Sequence, residues 1–390
     1  MKRVVSASIF AACVFLFGAS ATSRAQDNEL EVKGRVDPSK AVPISLTGFT
    51  GEAEAVLKFD LYVAGFEFVG SDKAKFTVTG SNNGELTGRL LDAQKNQLFG
   101  QKYSGGSIRQ QAHAFADDLL KQIYGQKMKI FSSKIAYKVE RGGTQEVGVS
   151  DFDGNNATLI TRDGSLVSSP AWVPGTRRLI YASWKSGGPF LLQQDLTSGA
   201  RDILSSQPGS NHSPSVSPDG KRVAFILSKD GNPELYVMGT DGSGLKRLTT
   251  TKEDEASPCW SPDGQTICFS SRYGGRPTLH QVSASGGTMR RMNVIGVANQ
   301  TEPDWSPDGK TIVFTAQMGS FQVCTVPATG GSAVPLVEGE DPVWGANSRV
   351  VMFTKRVGGQ RTLSLLDVPT KHVKDLPRLS GSCSQPAWAR

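Results

Sequence analysis

Three aspartates, Asp219, Asp263 and Asp308, recur at one phase of a repeated segment and are the obvious candidates for paired-carboxylate acid–base chemistry. Each sits inside a Pro-Asp-Gly turn, where an aspartate side chain bonds the backbone two residues on, so turn formation accounts for all three. Four histidines, His113, His212, His280 and His372, are candidate metal ligands. The last three stand at three different phases of the repeat, which argues against convergence on one ion. His113 shares a helical face with Arg109 and Asp117 and reads as a structural polar group. Cys259, Cys268, Cys324 and Cys383 have no CxxC spacing, which argues against zinc. Cys259 and Cys268 flank a tight turn, and the demanding geometry of a cross-strand bridge favours packed thiols there. No GxSxG, HExxH, GxxxxGK[ST] or GxGxxG motif occurs. The sequence thus assigns no catalytic residue, no cofactor and no metal, and points to a non-enzymatic protein.

What positions the remaining polar residues is an exported chain. Lys2 and Arg3 precede the apolar, uncharged run Val4–Ala19, and Ser23-Arg24-Ala25 offers small residues at a cleavage site before Gln26, with Ala19-Ser20-Ala21 as a competing cut. Residues 1–25 therefore read as a signal peptide, too short in its apolar part to span a bilayer. Its three cations account for much of the formal charge of +7, leaving +4, too mild a surplus to suggest nucleic acid. With 38% hydrophobic and 20% charged residues the composition is ordinary for a globular protein, and 43 glycines with 20 prolines favour short strands and tight turns.

Self-comparison sets the architecture. Pro214–Phe225, Pro258–Phe269 and Pro303–Phe314 are near copies around Ser-Pro-Asp-Gly, with degraded copies at Pro170-Ala-Trp172 and Pro342-Val-Trp344 and a sixth beginning at Pro386-Ala-Trp388. The leading prolines are 44, 44, 45, 39 and 44 residues apart, the period of a four-stranded propeller blade. A second turn about twenty residues on, as at Asp241–Gly244, Ser285–Gly287 and Thr329–Gly331, makes two hairpins per repeat. The sixth copy lacks its later strands, which Lys134–Tyr137, Glu146–Val149 and Asp153-Gly154 supply, so strands from both ends of the segment close the ring.

Residues 26–128 have another texture. A helix is expected at Glu52–Val63 and strands at Lys75–Thr79, Glu85–Leu91 and Leu98–Tyr103. Ser107 and Gln110 form a capping box for a second helix with the stripe Ala112, Phe115, Leu119 and Ile123, ending at Gly125. The expected fold class is mainly β: a flexible tail over 26–41, a small mixed α/β domain over 42–128 and a six-bladed β-propeller over 129–390. Loops entering the inner strands, Asn211–Ser213, Glu253–Glu255, Asn299–Glu302 and Glu338–Asp341, gather at one mouth as a protein-binding surface. Their acidity favours a basic partner.

Signal peptide, small α/β domain and six Pro-x-Trp-Ser-Pro-Asp-Gly blades together resemble the TolB family, the periplasmic component of the Tol-Pal envelope system. The run Arg109-x-x-Ala112-His113-x-x-Ala116-Asp117 followed by Phe131-x-x-Lys134-Ile135-Ala136-Tyr137 is similar to the family's junction, and Leu235–Met238, Gly275-Arg276-Pro277 and Thr301-Glu302-Pro303 to its blades. The resemblance implies a periplasmic, monomeric scaffold that touches membranes only through partners. Its mouth would bind a peptidoglycan-associated lipoprotein (Pal) through Asn211, His212, Glu255, Arg276 and Glu302. Its tail would bind an inner-membrane TolA-like protein through Glu29, Glu31, Val32, Lys33 and Val36. Lys33, Gly34 and Arg35 interrupt the apolar strand that the family carries in that tail. Two alternatives remain: an exported propeller that binds glycan, peptidoglycan or another protein, and a metal-dependent propeller lyase.

Overall fold

The computed structural model describes residues 36–125, 129–376 and 378–390. A five-stranded sheet with two helices comes first. Its strands are β1 (Val42–Thr47), β2 (Phe66–Phe68), β3 (Phe76–Ser81), β4 (Leu86–Asp92) and β5 (Gln97–Tyr103), in the order β2-β1-β3-β4-β5. β1 runs parallel to both its neighbours. Helix α1 (Gly51–Val63) is the crossover between β1 and β2, and α2 (Ile108–Tyr124) follows β5. Both helices form where the apolar stripes predict. The expected capping box of α2 is present, with Ser107 accepting from Gln110 N–H and Gln110 from Ser107 N–H, and Gly125 ends the helix at φ 68°. The last residues of the expected tail are anchored: Val36 packs against the core, and Arg349 donates to the Pro38 carbonyl at 2.9 Å.

Six four-stranded sheets follow the repeats. Their inner strands are Val167–Val173, Asn211–Val216, Glu255–Trp260, Gln300–Trp305, Glu340–Trp344 and Ser382–Trp388, counted here as blades one to six. In blade six, Ser382–Trp388 pairs antiparallel with Lys134–Arg141, which pairs with Thr144–Asp151, so the ring closes with strands from both ends of the repeat region. Each second strand buries one aromatic ring at a common phase: Tyr137, Tyr181, Phe225, Phe269, Phe314 and Phe353. These wedges fill the seams between blades, which is why the spacing of the repeats is kept while surface residues vary. The Ser-Pro-Asp-Gly turns are built as the sequence implies. Ser217, Ser261 and Ser306 donate to Asp219, Asp263 and Asp308 at 2.5, 2.5 and 2.6 Å, and each aspartate also accepts the N–H two residues on. The four cysteines beyond residue 25 are buried free thiols, with Cys259 opposite Cys268 in the ladder.

The α/β domain and the propeller share one core. Phe115, Leu119 and Ile123 of α2 belong to the same apolar cluster as Ile135, Phe152, Met352, Leu365 and Trp388 of blades five and six. Polar groups finish the joint, and they are the i, i+4, i+8 stripe of α2. Arg109 pairs with Asp153 in a turn of blade six and with Glu52 of α1 at 3.4 Å. His113 Nδ1 lies 2.7 Å from the fully buried Asp60 of α1, and its Nε2 lies 3.7 Å from Asp153. Asp117 accepts the N–H groups of Ile130, Phe131 and Ser132 at 2.9, 3.0 and 3.1 Å, fixing the turn that leads into the strand Lys134–Arg141. These contacts fall where inner strands end and second strands begin, so the domain covers the face of blades five and six opposite the end where inner strands enter.

Candidate partner-binding site

The free end of the ring is the mouth where the inner strands enter. Four of those strands begin with a buried polar residue: Asn211, Glu255, Gln300 and Glu340 are 0, 1, 3 and 9% exposed. Their side chains hold their own entry loops. Asn211 Oδ1 accepts from Ser205 Oγ at 2.7 Å while its Nδ2 donates to the Gln207 and Gly209 carbonyls. Gln300 Oε1 accepts the Leu279 N–H at 3.0 Å. Glu255 accepts from Thr251 Oγ1 at 3.0 Å, and burial pushes its carboxyl up to about 7. Glu340 is gripped by Arg356 and Arg361 at 2.9 to 3.1 Å.

The expected site residues are thus brought to one end but differ in reach. Asn211 and Glu255 shape loops from within. His212 is half-buried with Nδ1 3.0 Å from Ser213 Oγ, and burial lowers its pKa by disfavouring the charged imidazolium. Arg276 is exposed in the loop between the second and third strands of blade three. Glu302 is half-buried in the channel wall. The acidic mouth expected from sequence is corrected by this geometry. Glu255, Glu302, Glu340 and Asp341 are engaged internally, and exposed Arg141, Lys185, Lys229, Arg272, Arg276 and Arg356 stand on the surrounding hairpins beside exposed Asp230, Glu253, Asp254 and Glu338, with Lys185, Lys229 and Arg356 paired to Asp163, Asp230 and Glu340. The rim is mixed in charge, so a basic partner is not favoured.

Within the mouth lies a channel cavity of about 290 Å³. Its wall is set by the residues that immediately precede the six leading prolines: Ser169, Ser213, Ser257, Glu302, Asp341 and Gln385 all line it. All six are left-handed, with φ between 49° and 53°. The strand ladder slips at this step in every blade. A non-glycine residue with positive φ stores strain, and its recurrence in six blades marks a feature of the repeat. The strained residues turn their N–H groups across the seams. Glu302 Oε2 accepts the N–H of Asp341, Asp341 Oδ2 that of Gln385, and Gln385 Oε1 that of Ser169, each at 3.0 Å. Burial raises both carboxyls, that of Glu302 to about 7, and each charge opposes ionisation of its neighbours. At the domain side, Arg390 donates to the Trp344 carbonyl at 3.1 Å and pairs with Asp304. Of this ring, sequence reasoning singled out Glu302 as a contact and placed Ser213 and Asp341 in the mouth loops without marking them as a set with the other three. Reading the repeat phase one residue before each proline would have found all six as a ring.

No group of three or more His, Cys, Asp and Glu among the described residues has metal-site geometry. Likewise, no described helix is long and apolar enough to cross a membrane.

Comparison with known proteins agrees with this architecture. Residues 121–390 match the family described as the TolB beta propeller domain. The Tol-Pal system protein TolB of Bordetella pertussis is 37% identical over 126 residues, covering 32% of this chain and 28% of that protein. TolB of Mannheimia succiniciproducens is 32% identical over 185 residues, covering 43% of this chain and 39% of that protein. The chain therefore spans well under half the length of these curated relatives in alignment. The crystal structure of TolB from Acinetobacter baumannii superposes with a TM-score of 0.81 at 25% identity, covering 90% of this chain and 97% of that one. A six-bladed ring closed from both ends, carrying this repeat behind a small α/β domain, places the chain in the TolB family.

Proposed function

We propose that the protein is a periplasmic, non-enzymatic scaffold of a Tol-Pal envelope system. It is exported by the signal peptide of residues 1–25, acts as a monomer and supports outer-membrane integrity and cell division. In this reading the mouth holds a peptidoglycan-associated lipoprotein, with Arg276 and His212 as contacts, Glu302 at the channel wall, and Asn211 and Glu255 setting loop shape. A TolA-like inner-membrane protein is taken by the tail, through Glu29, Glu31, Val32, Lys33 and Val36. The first four of these lie outside the described residues.

The observation that carries the reading, beyond family membership, is a mouth that the described residues of the α/β domain leave uncovered, at the end of the ring opposite that domain. Its loops are pinned from inside by buried Asn211, Glu255, Gln300 and Glu340. Such a surface is pre-organised, and binding to it costs little ordering entropy. The test is a pull-down from envelope extract with protein starting at Gln26, beside a version lacking residues 26–38. Recovery of the lipoprotein by both, and of a TolA-like protein only by the longer form, is the expected result. Recovery of neither refutes the assignment.

A further inference from the structure

The six residues before the leading prolines share one backbone shape, yet among the described residues only three of the six seams are closed at that level. Glu302, Asp341 and Gln385 each reach the N–H of the equivalent residue in the next blade. Ser169, Ser213 and Ser257 carry an oxygen directly on the β-carbon, one carbon shorter than the reach of aspartate and two shorter than that of glutamine. Ser213 Oγ is turned instead to His212 Nδ1 at 3.0 Å. The N–H groups of Ser213, Ser257 and Glu302 follow those serines in the ring. They have the φ of their three bonded counterparts and the same ladder slip, so they are turned across their seams, beside the cavity, in the same way. Among the described residues, no side chain from the preceding blade meets them.

The channel is therefore two-sided. Blades two to four present N–H donors, while Glu302 and Asp341 present carboxylates that use only Oε2 and Oδ2 in their links. We propose that the serine half of this channel is a binding site for an amide group, the side chain of an asparagine or glutamine carried in by the partner at the mouth. The template is internal: the Gln385 amide oxygen already occupies the equivalent place on Ser169 N–H at 3.0 Å. An amide satisfies both sides, its oxygen accepting from blades two to four and its NH₂ donating toward Glu302 and Asp341. A carboxylate suits the cavity less well, because Glu302, Asp341 and Asp304 line it against the single guanidinium of Arg390. The occupant rests on the reading of the mouth as the partner-binding end; the site itself belongs to the channel.

The decisive experiment titrates acetamide, and separately acetate, into ¹⁵N-labelled full-length mature protein and follows backbone amide resonances. Saturable shifts at Ser213, Ser257 and Glu302 with acetamide, weaker with acetate, are expected. Ser257→Gln supplies the missing reach and closes the link to Glu302, so acetamide affinity falls about two- to tenfold per closed link. The absence of a saturable shift, tighter binding of acetate, or an unchanged affinity in Ser257→Gln overturns the proposal. If the glutamine variant does not fold, the acetamide-against-acetate comparison on the wild type decides alone. A second arm repeats the envelope pull-down with Ser169→Gln/Ser213→Gln/Ser257→Gln. Lipoprotein recovered by wild type and lost from the triple variant supports the inserted amide. Equal recovery refutes it while leaving the scaffold function standing. Recovery by neither sinks the scaffold function, and the acetamide titration still decides the site.

Discussion

Asp117→Ala should be strongly destabilising although it lies outside the apolar core. The carboxylate is 5% exposed and accepts four hydrogen bonds, from Ile130, Phe131 and Ser132 N–H and from Ser132 Oγ at 2.7 Å. Burial raises its pKa while these donors lower it, so the donors are what make the buried charge tolerable. Ser132 is exposed and finds water when the carboxylate is gone, whereas Ile130 and Phe131 are 0 and 1% exposed and their N–H groups are stranded. Each stranded donor costs about 1–3 kcal/mol. Relief of the carboxylate's own desolvation offsets part of this, leaving a net loss of about 3–4 kcal/mol, in the range seen when one partner of a buried charged network is removed. Asp117→Asn keeps one acceptor oxygen and should lose about half as much. Urea unfolding followed by tryptophan fluorescence reports it, since the Trp388 indole donates to Ser133 beside the junction at 2.6 Å. Limited trypsin digestion should show faster cutting at Lys129 and Lys134 in the alanine variant. A loss below about 1 kcal/mol, or equal losses for Ala and Asn, would refute the claim that this carboxylate fastens the two modules.

Three further outcomes can be measured. Asp60, raised by burial to about 6, and Glu255 and Glu302, each raised to about 7, bind protons more tightly folded than unfolded. Their contribution is fully present below the unfolded carboxyl values near 4 and is lost as pH rises through 6 to 7, so Tm should fall between pH 5 and pH 8. A flat Tm profile across that range, in wild type and Glu302→Gln alike, contradicts this. Arg390→Ala removes the tie from blade six to Trp344 and Asp304 and should cost about 1–2 kcal/mol in urea unfolding; no measurable loss means the tie is idle. Thiol titration of the mature protein should find Cys259, Cys268, Cys324 and Cys383 unreactive when folded and all four reactive in guanidinium without reductant; two missing thiols would reveal a Cys259–Cys268 bridge.

Much of the fold was legible because the propeller repeats its own physics. The Ser-Pro-Asp-Gly turn, the aromatic wedge and the proline phase each recur at fixed spacing, and the closure of blade six followed from strands missing at Pro386 and present at Lys134. The second helix was equally plain, since its cap and stripe agree. Harder to see were β1 and β2, a six-residue strand with proline second and a three-residue strand, both too short to show a period. The site was less legible than the fold. Glu255 and Asn211 look like exposed loop residues, and only the ladder reveals that each begins a strand and points inward. Asp60 lies on a stripe with Val56, Phe59 and Val63, and nothing local announces that His113, 53 positions on, will meet it. The left-handed residues of the channel break the rule that only glycine takes such backbone freely, so propensity could not find them; the proline after each one could.

The closure of blade six also bears on how the chain reaches this state. Ser382 pairs with Glu140 and Trp388 with Ile135, so the last ladder joins positions separated by almost the whole propeller. Bringing such distant segments together costs about 5 kcal/mol of chain entropy on logarithmic scaling, before any contact repays it. Blades one to five can each form from local hairpins, but the sheet that shuts the circle has to wait for them. Folding should therefore be slow and end in one late, cooperative latch. Until that latch falls, Lys134–Arg141 offers an unpaired strand edge, which makes the nearly finished ring the species most exposed to self-association.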